Sequence, residues 1–254
     1  MNQESNITLV QSPPSLGQIF KALLRADIVS LWHQRQGIVM TLVTPIIILV
    51  LWNRAGTDPF VALALAIAIG LPATGLLGYP QSLARDRERY VLERLRATPV
   101  PTWTIMFSRI IMQLITVLLM TGVTIIAAIT MYHLQISSMA ILATLAAALV
   151  GGATFLALGQ MTVSLLTSPD AVNAAGRALY FPMILLTAIG QNGLGNLLKE
   201  CAKWNPVGAV QTVLKATLRQ TAWGGTEWIS LLILVACAAI FTSIGIKWFR
   251  WSNR

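Results

Sequence analysis

Between Arg85 and Pro101 the chain reads RDRERYVLERLRATPVP, a dense run of ionisable groups in a sequence that is otherwise mostly apolar. Its guanidiniums and carboxylates recur three and four residues apart: Arg85 with Glu88, Asp86 with Arg89, Arg89 with Glu93. On a helix such pairs share a face and support it by ion pairing. Val91, Leu92 and Leu95 add an apolar edge. Thr98-Pro99 then imposes a stop, because the residue before a proline is disfavoured in helical geometry. Two readings of these residues stand open. The arginines alone suffice as a topological anchor beside a membrane span. The interleaved acids, the apolar edge and the stop suit a short docking helix.

The rest of the chain offers little for covalent chemistry. His33 and His133 lie far apart, each at the end of an apolar run, and read as interfacial polar residues. Cys201 and Cys237 form neither a disulfide framework nor a metal-ligand spacing. The sequence holds no HExxH, no GxSxG and no GxxxxGK[ST] phosphate loop. The chain therefore reads as a non-enzyme with no catalytic, metal or cofactor-binding residues, and any ATP and magnesium it depends on are held by another subunit. None of the acids, Glu4, Asp27, Asp58, Asp86, Glu88, Glu93, Asp170, Glu200 and Glu227, falls at the centre of an apolar run. Ion-coupled transporters usually keep an intramembrane carboxylate despite its cost, so a secondary transporter is disfavoured.

The elements around these residues follow from composition. Of 254 residues 56% are hydrophobic and 11% charged, whereas a soluble domain carries roughly a quarter charged. Several runs reach the ~20 apolar residues needed to cross a ~30 Å hydrocarbon core. We expect an all-α polytopic membrane protein with six spans, at 37–52, 60–83, 105–132, 139–166, 174–190 and 228–248. Arg177 and Pro182 interrupt the fifth. The polar start before 37 is not a cleavable signal peptide. Within it, Leu16, Ile19, Phe20, Leu23, Leu24, Ile28, Leu31 and Trp32 recur at helical spacing opposite Gln18, Lys21 and Arg25, as in an amphipathic helix lying in the interface.

The formal charge of +9 sits mostly beside spans, where it orients them and meets lipid headgroups rather than nucleic acid. Basic residues before the first span, at Arg85–Arg96 and in the tail KWFRWSNR put both termini in the cytoplasm. Lys199, Lys203, Lys215 and Arg219 then fall outside, in a segment read as re-entrant helices between spans five and six.

Small residues mark close helix contacts. Ala147 with Gly151 and Ala148 with Gly152 have four-residue spacing, which suits packing within the chain or a dimer seam. Ile69–Pro80 combines glycines and prolines and is expected to kink the second span, as packing or as a hinge. Polar groups inside spans, Thr44, Gln113, Thr116 and Gln160 among them, are candidates to line a pathway. The amides weigh more, since an amide in lipid needs partners whereas a threonine can bond its own helix. A lining without acids suggests an amphiphilic cargo such as a drug, an antibiotic or a lipid-linked glycan.

The segment RERYVLERLRATPVPTWTIMFSR resembles the region between spans two and three of ABC-2 type permeases, the membrane subunits of many bacterial ABC exporters. Glu88, Leu92, Glu93, Leu95, Thr98, Pro99 and Arg109 match that pattern, while Val91 and Tyr90 replace its frequent Thr and Gly. Asn205-Pro206 matches an Asn-Pro common near the family's re-entrant helices, and span order and size extend the likeness to nearly the whole chain. The resemblance implies one transmembrane domain, 1–254, with a cytoplasmic tail and amphipathic helix at 1–36, a bundle at 37–248 and a tail at 249–254. It implies a bacterial plasma-membrane exporter pairing two permease chains, a homodimer or a heterodimer with a paralogue, with two ATPase subunits. Glu88, Leu92, Glu93, Arg94, Leu95, Arg96, Thr98 and Pro99, followed by Lys21 and Arg25, are the expected ATPase-coupling residues. The alternative is a non-transporting immunity or sensory scaffold on the same fold.

Overall fold

The computed structural model describes residues 35–88, 102–191 and 196–248, and within them every regular element is helical. The amphipathic N-terminal segment, the charged residues beyond Glu88 and the basic tail lie outside the described residues.

The central element starts at Asp58. Its carboxylate accepts from the N–H groups of Phe60 at 2.9 Å and Val61 at 3.3 Å, and Pro59 follows at the first helical position, where no N–H is needed. From there the chain is helical for 30 residues, to Glu88. It comprises α2 (Pro59–Pro72), a π-helical turn (Ala73–Gly78) and α3 (Tyr79–Glu88). Every residue from Ala62 to Pro72 is buried, which explains a stretch without polar alternation: this helix has protein on all sides.

Around it stand α1 (Arg35–Arg54), α4 (Thr102–Tyr132), α5 (Ser138–Leu165), α6 (Pro169–Gln191) and α9 (Gly225–Lys247), with the short α7 (Asn196–Trp204) and α8 (Pro206–Arg219) between the last two. Among the described residues five helices are long and apolar enough to cross a membrane: Pro59–Glu88, Phe107–Tyr132, Ser138–Leu165, Pro169–Gly190 and Gly225–Lys247. The described apolar part of α1, Leu42–Trp52, is shorter than a crossing. Arg177 and Pro182 do not interrupt the fifth expected span, since α6 is continuous around both.

The paired small residues serve packing within the chain. A side chain at Gly151 would strike Val210 of α8 and Leu71 of α2, and one at Gly152 would strike Val117 of α4. Hydroxyls stitch the same helix faces together. Thr154 donates to Leu234 O at 3.1 Å and Ser164 to Gly245 O at 2.8 Å, both on α9. Tyr132 at the end of α4 donates to Leu49 O of α1 at 2.9 Å. Such bonds hold where apolar surface alone gives helices no reason to associate in lipid.

The course of α8 is fixed by its neighbours. Val210 meets Gly151, Thr217 hydrogen-bonds Thr144 at 3.2 Å, and Gln220 donates to Ser137 at 2.6 Å. The helix therefore runs antiparallel to α5, from its middle to its first residue. At roughly 1.5 Å per residue, Gly151 lies about 20 Å inside the start of α5.

Candidate coupling site and pathway

The expected kink in the second span is a π-turn, and the sequence supplies its cause. Pro80 has no N–H to give to Leu76 O in α-helical register or to Gly75 O in π register. Tyr79 N–H instead bonds Thr74 O, the wider spacing of a π-turn. Glycines of two other helices approach those carbonyls. A Cβ on Gly159 of α5 would overlap Gly75 O, and one on Gly176 of α6 would come within 2.6 Å of Leu76 O. Gly75 itself lies against the Phe155 backbone, where a Cβ would sit at 2.6 Å. Three helices thus meet backbone to backbone at this turn.

Below the turn, α3 packs on α5 and α6. Tyr79, Leu83 and Ala84 form a small core with Leu156, Val163 and Val172. The charged end of α3 divides its residues among different surroundings. Arg85 and Glu88 are exposed. Asp86 accepts a charge-assisted bond from Arg109 of α4 at 2.6 Å. Arg87 is buried and donates to Val163 O at 3.0 Å, Leu166 O at 2.6 Å and Thr167 O at 2.8 Å. Those carbonyls belong to the last turn of α5 and the corner leading to α6, where helical N–H donors have run out.

Among the expected coupling residues only Glu88 is described, exposed at the end of the helix. Lys21, Arg25, Leu92, Glu93, Arg94, Leu95, Arg96, Thr98 and Pro99 lie outside the described residues. Sequence reasoning missed Arg87, which is indistinguishable in type from Arg85. The signal for it lay elsewhere, in the end of α5: Leu166-Thr167-Ser168-Pro169 has no glycine to close the helix locally.

The pathway candidates lie on three helices, α1, α4 and α5. Gln160 accepts from the Tyr79 hydroxyl at 2.8 Å, joining α5 to α3. Thr116 donates to Met112 O of its own helix at 3.0 Å. Gln113 on α4 and Thr44 on α1 are half-buried.

At the start of α8, level with the middle of α5, Asn205-Pro206 forms a built corner. Asn205 Oδ1 accepts from the N–H groups of Val207 at 2.8 Å and Gly208 at 3.1 Å, while its Nδ2 donates to Thr187 of α6 and to Ala202 O, both at 3.0 Å. Arg219 at the end of α8 pairs with Asp58 at 3.0 Å. Burial pushes the Asp58 carboxyl up, but the Arg219 hydrogen bond and charge and the Val61 and Phe60 N–H groups outweigh it and hold the group below its ordinary value. No three His, Cys, Asp or Glu side chains gather as a metal site among the described residues.

Comparison with known proteins agrees with this architecture. The model of one family, the ABC-2 type transporter, matches residues 18–218. No curated protein sequence matches the chain. ABC-2 permeases are multi-pass membrane proteins that generally pair with an ABC ATPase. The match spans well over half of the chain and includes the π-turn, the clamped end of α3 and the Asn205-Pro206 corner. The chain belongs to the ABC-2 type transporter family, as a transmembrane permease whose membrane domain has no ATPase activity of its own.

Proposed function

We propose that this permease exports an amphiphilic cargo, such as a drug, an antibiotic or a lipid- or glycan-linked molecule, from the cytoplasm or inner leaflet of a bacterial plasma membrane. A separate ATPase, binding ATP and magnesium, powers it. In this reading α1 completes a six-span bundle within a single domain, residues 1–36 lie along the cytoplasmic interface, and α7 and α8 are re-entrant between spans five and six. Both termini, including 249–254, face the cytoplasm. Two copies of the chain pair with two ATPase subunits.

The observation that carries this reading is the continuity of Pro59–Glu88. A helix buried through the centre of the bundle runs without a break to Glu88, inside the charged run Arg85–Pro101 of the sequence. A stiff rod of this kind can carry a push at one end into the packed helices at the other. Glu88, Glu93, Arg94 and Arg96 supply charged contacts to the ATPase, Leu92 and Leu95 an apolar edge, and Thr98-Pro99 the stop. Lys21 and Arg25 add a second contact from the N-terminal helix. Thr44, Gln113, Thr116 and Gln160 are the polar positions offered to cargo.

The test is charge reversal at Glu93 or Arg94 in proteoliposomes that contain the co-purified ATPase. Transport is expected to fall while ATP hydrolysis continues and the permease still inserts. Wild-type coupling in both variants would remove the assignment, and an ATPase absent from every mild-detergent preparation would favour a non-transporting scaffold.

A further inference from the structure

Arg87 is a charge that this coupling scheme does not yet use. The residue is 2% exposed, and a buried guanidinium is costly unless acceptors meet its charge. The three carbonyls it reaches, of Val163, Leu166 and Thr167, are separated from it by more than seventy residues of sequence. Val163 O lies in the last turn of α5, at the negative end of its dipole, which a cation complements, and the Leu166 and Thr167 carbonyls lie just beyond it. Helix ends at a polar boundary are commonly closed by a local glycine or by water. Here a distant helix closes this one.

The adjacent residue faces another way. Successive residues on a helix lie about 100° apart, so when Arg87 holds the α5–α6 corner, Asp86 is turned toward Arg109 on α4. Leu83 and Ala84, one turn earlier, pack against Val163 of α5 and Val172 of α6. One turn of α3 is thus pinned to three other helices, immediately before the segment assigned to the ATPase.

We propose that Arg87, supported by Asp86, is a positioning residue for transport. It clamps the end of α3 to the α5–α6 corner, so that displacement of the following charged segment moves the end of α5 and the start of α6 with it. This inference rests on the coupling role given above to residues 88–99. It adds which helices receive the movement.

The experiment uses the full permease–ATPase complex in nanodiscs, with Cys201 and Cys237 replaced by Ser. Spin labels at Arg85→Cys and Ser168→Cys, both exposed positions, report the clamp. Labels at Arg85→Cys and Lys247→Cys report movement relative to α9. The 85–168 distance is expected to be single, narrow and unchanged by ATP with vanadate, while the 85–247 distance changes. Arg87→Gln is expected to broaden the 85–168 distribution and to lower transport per ATP at least tenfold. Arg87→Lys keeps the charge but not the fork, and should fall between the two even if the Gln variant fails to insert. A narrow 85–168 distance and wild-type transport per ATP in the variants that insert would overturn the clamp. If Arg87→Lys broadens the 85–168 distance while no pair responds to nucleotide, the clamp stands and the ATP-driven reading falls.

Discussion

Arg219 and Asp58 meet at 3.0 Å, so the end of α8 is tied to the first turn of the buried central helix. Asp58 also caps α2 with two backbone bonds, which gives the same carboxylate two structural duties. The pair is open to solvent, and exposed ion pairs contribute little, whereas a cap contributes about 1 kcal/mol. Asp58→Ala should therefore cost about 1 kcal/mol and Arg219→Ala well under that. The pH response has a definite sign. A carboxyl held below its ordinary 3.8 adds stability above that value and loses it as pH falls through the lower, folded value. The Asp58→Ala penalty should be constant from pH 6 to pH 8 and shrink only near pH 4 and below. Thermal unfolding in one detergent across that range checks it, and a penalty that varied around neutrality would contradict the assignment.

Tyr79 and Gln160 separate a structural role from a cargo role. Tyr79→Phe removes the donor and leaves the Gln160 carbonyl facing a hydrocarbon edge, at an expected cost of about 1 kcal/mol. Replacing both partners, Tyr79→Phe with Gln160→Met, should recover most of that loss, because neither group then lacks a partner. If Gln160 also contacts cargo, the double variant should regain stability but keep an altered half-saturation in cargo-stimulated ATP hydrolysis. Full recovery of both would leave Gln160 a structural residue.

The close approach at the π-turn predicts opposite outcomes for one kind of substitution. Gly159→Ala would overlap Gly75 O and Gly176→Ala would press on Leu76 O, and neither neighbour is a side chain that can swing aside. Each should destabilise by about 1–3 kcal/mol. Gly122→Ala, inside α4 with nothing within 4 Å of the new methyl, should be neutral or stabilising by up to about 1 kcal/mol. Melting temperatures of the three variants in matched detergent give the comparison, and a similar loss in all three would show that the π-turn is not closely gripped.

Hydropathy made the long helices legible, because lipid imposes length and apolarity on any crossing. The Asn205-Pro206 pair was equally readable, since proline at the first position of a helix dictates local geometry whatever surrounds it. What remained hidden depended on distant partners. Arg85, Arg87 and Arg89 look alike in sequence, and only the packing of α3 on α5 decides that Arg87 turns inward. The glycines and prolines of Ile69–Pro80 announced an irregular turn, but its grip by Gly159 and Gly176 could not be read from a segment that contains neither. Arg177 and Pro182 suggested a break in α6 that the structure does not have, because flanking helices sustain a helix through isolated breakers.

The Asn205 corner allows its two functions to be taken apart. Its carbonyl oxygen caps α8, and its amide nitrogen ties the corner to Thr187 of α6 and to Ala202 O. Asn205→Ala removes both sets of bonds and should cost about 2 kcal/mol, roughly a cap plus one net hydrogen bond. Asn205→Asp keeps an acceptor for the N–H groups of Val207 and Gly208 but has no amide to donate, and it sets a carboxylate against the Ala202 carbonyl. In hydrogen-exchange mass spectrometry the Ala variant should lose protection both in the first turn of α8 and across Asn196–Trp204. The Asp variant should lose it across Asn196–Trp204 alone. Cargo release offers a second readout, because α8 packs against α2 and α5 through Val210 and Gly151 and so holds its place without the link to α6. The Asp variant should therefore transport close to wild type if α8 shapes the pathway, and as poorly as the Ala variant if the attachment to α6 matters more. Equal loss of protection along α7 and α8 in both variants would show that the corner acts as one unit and that the two halves of the Asn205 amide have no separate roles.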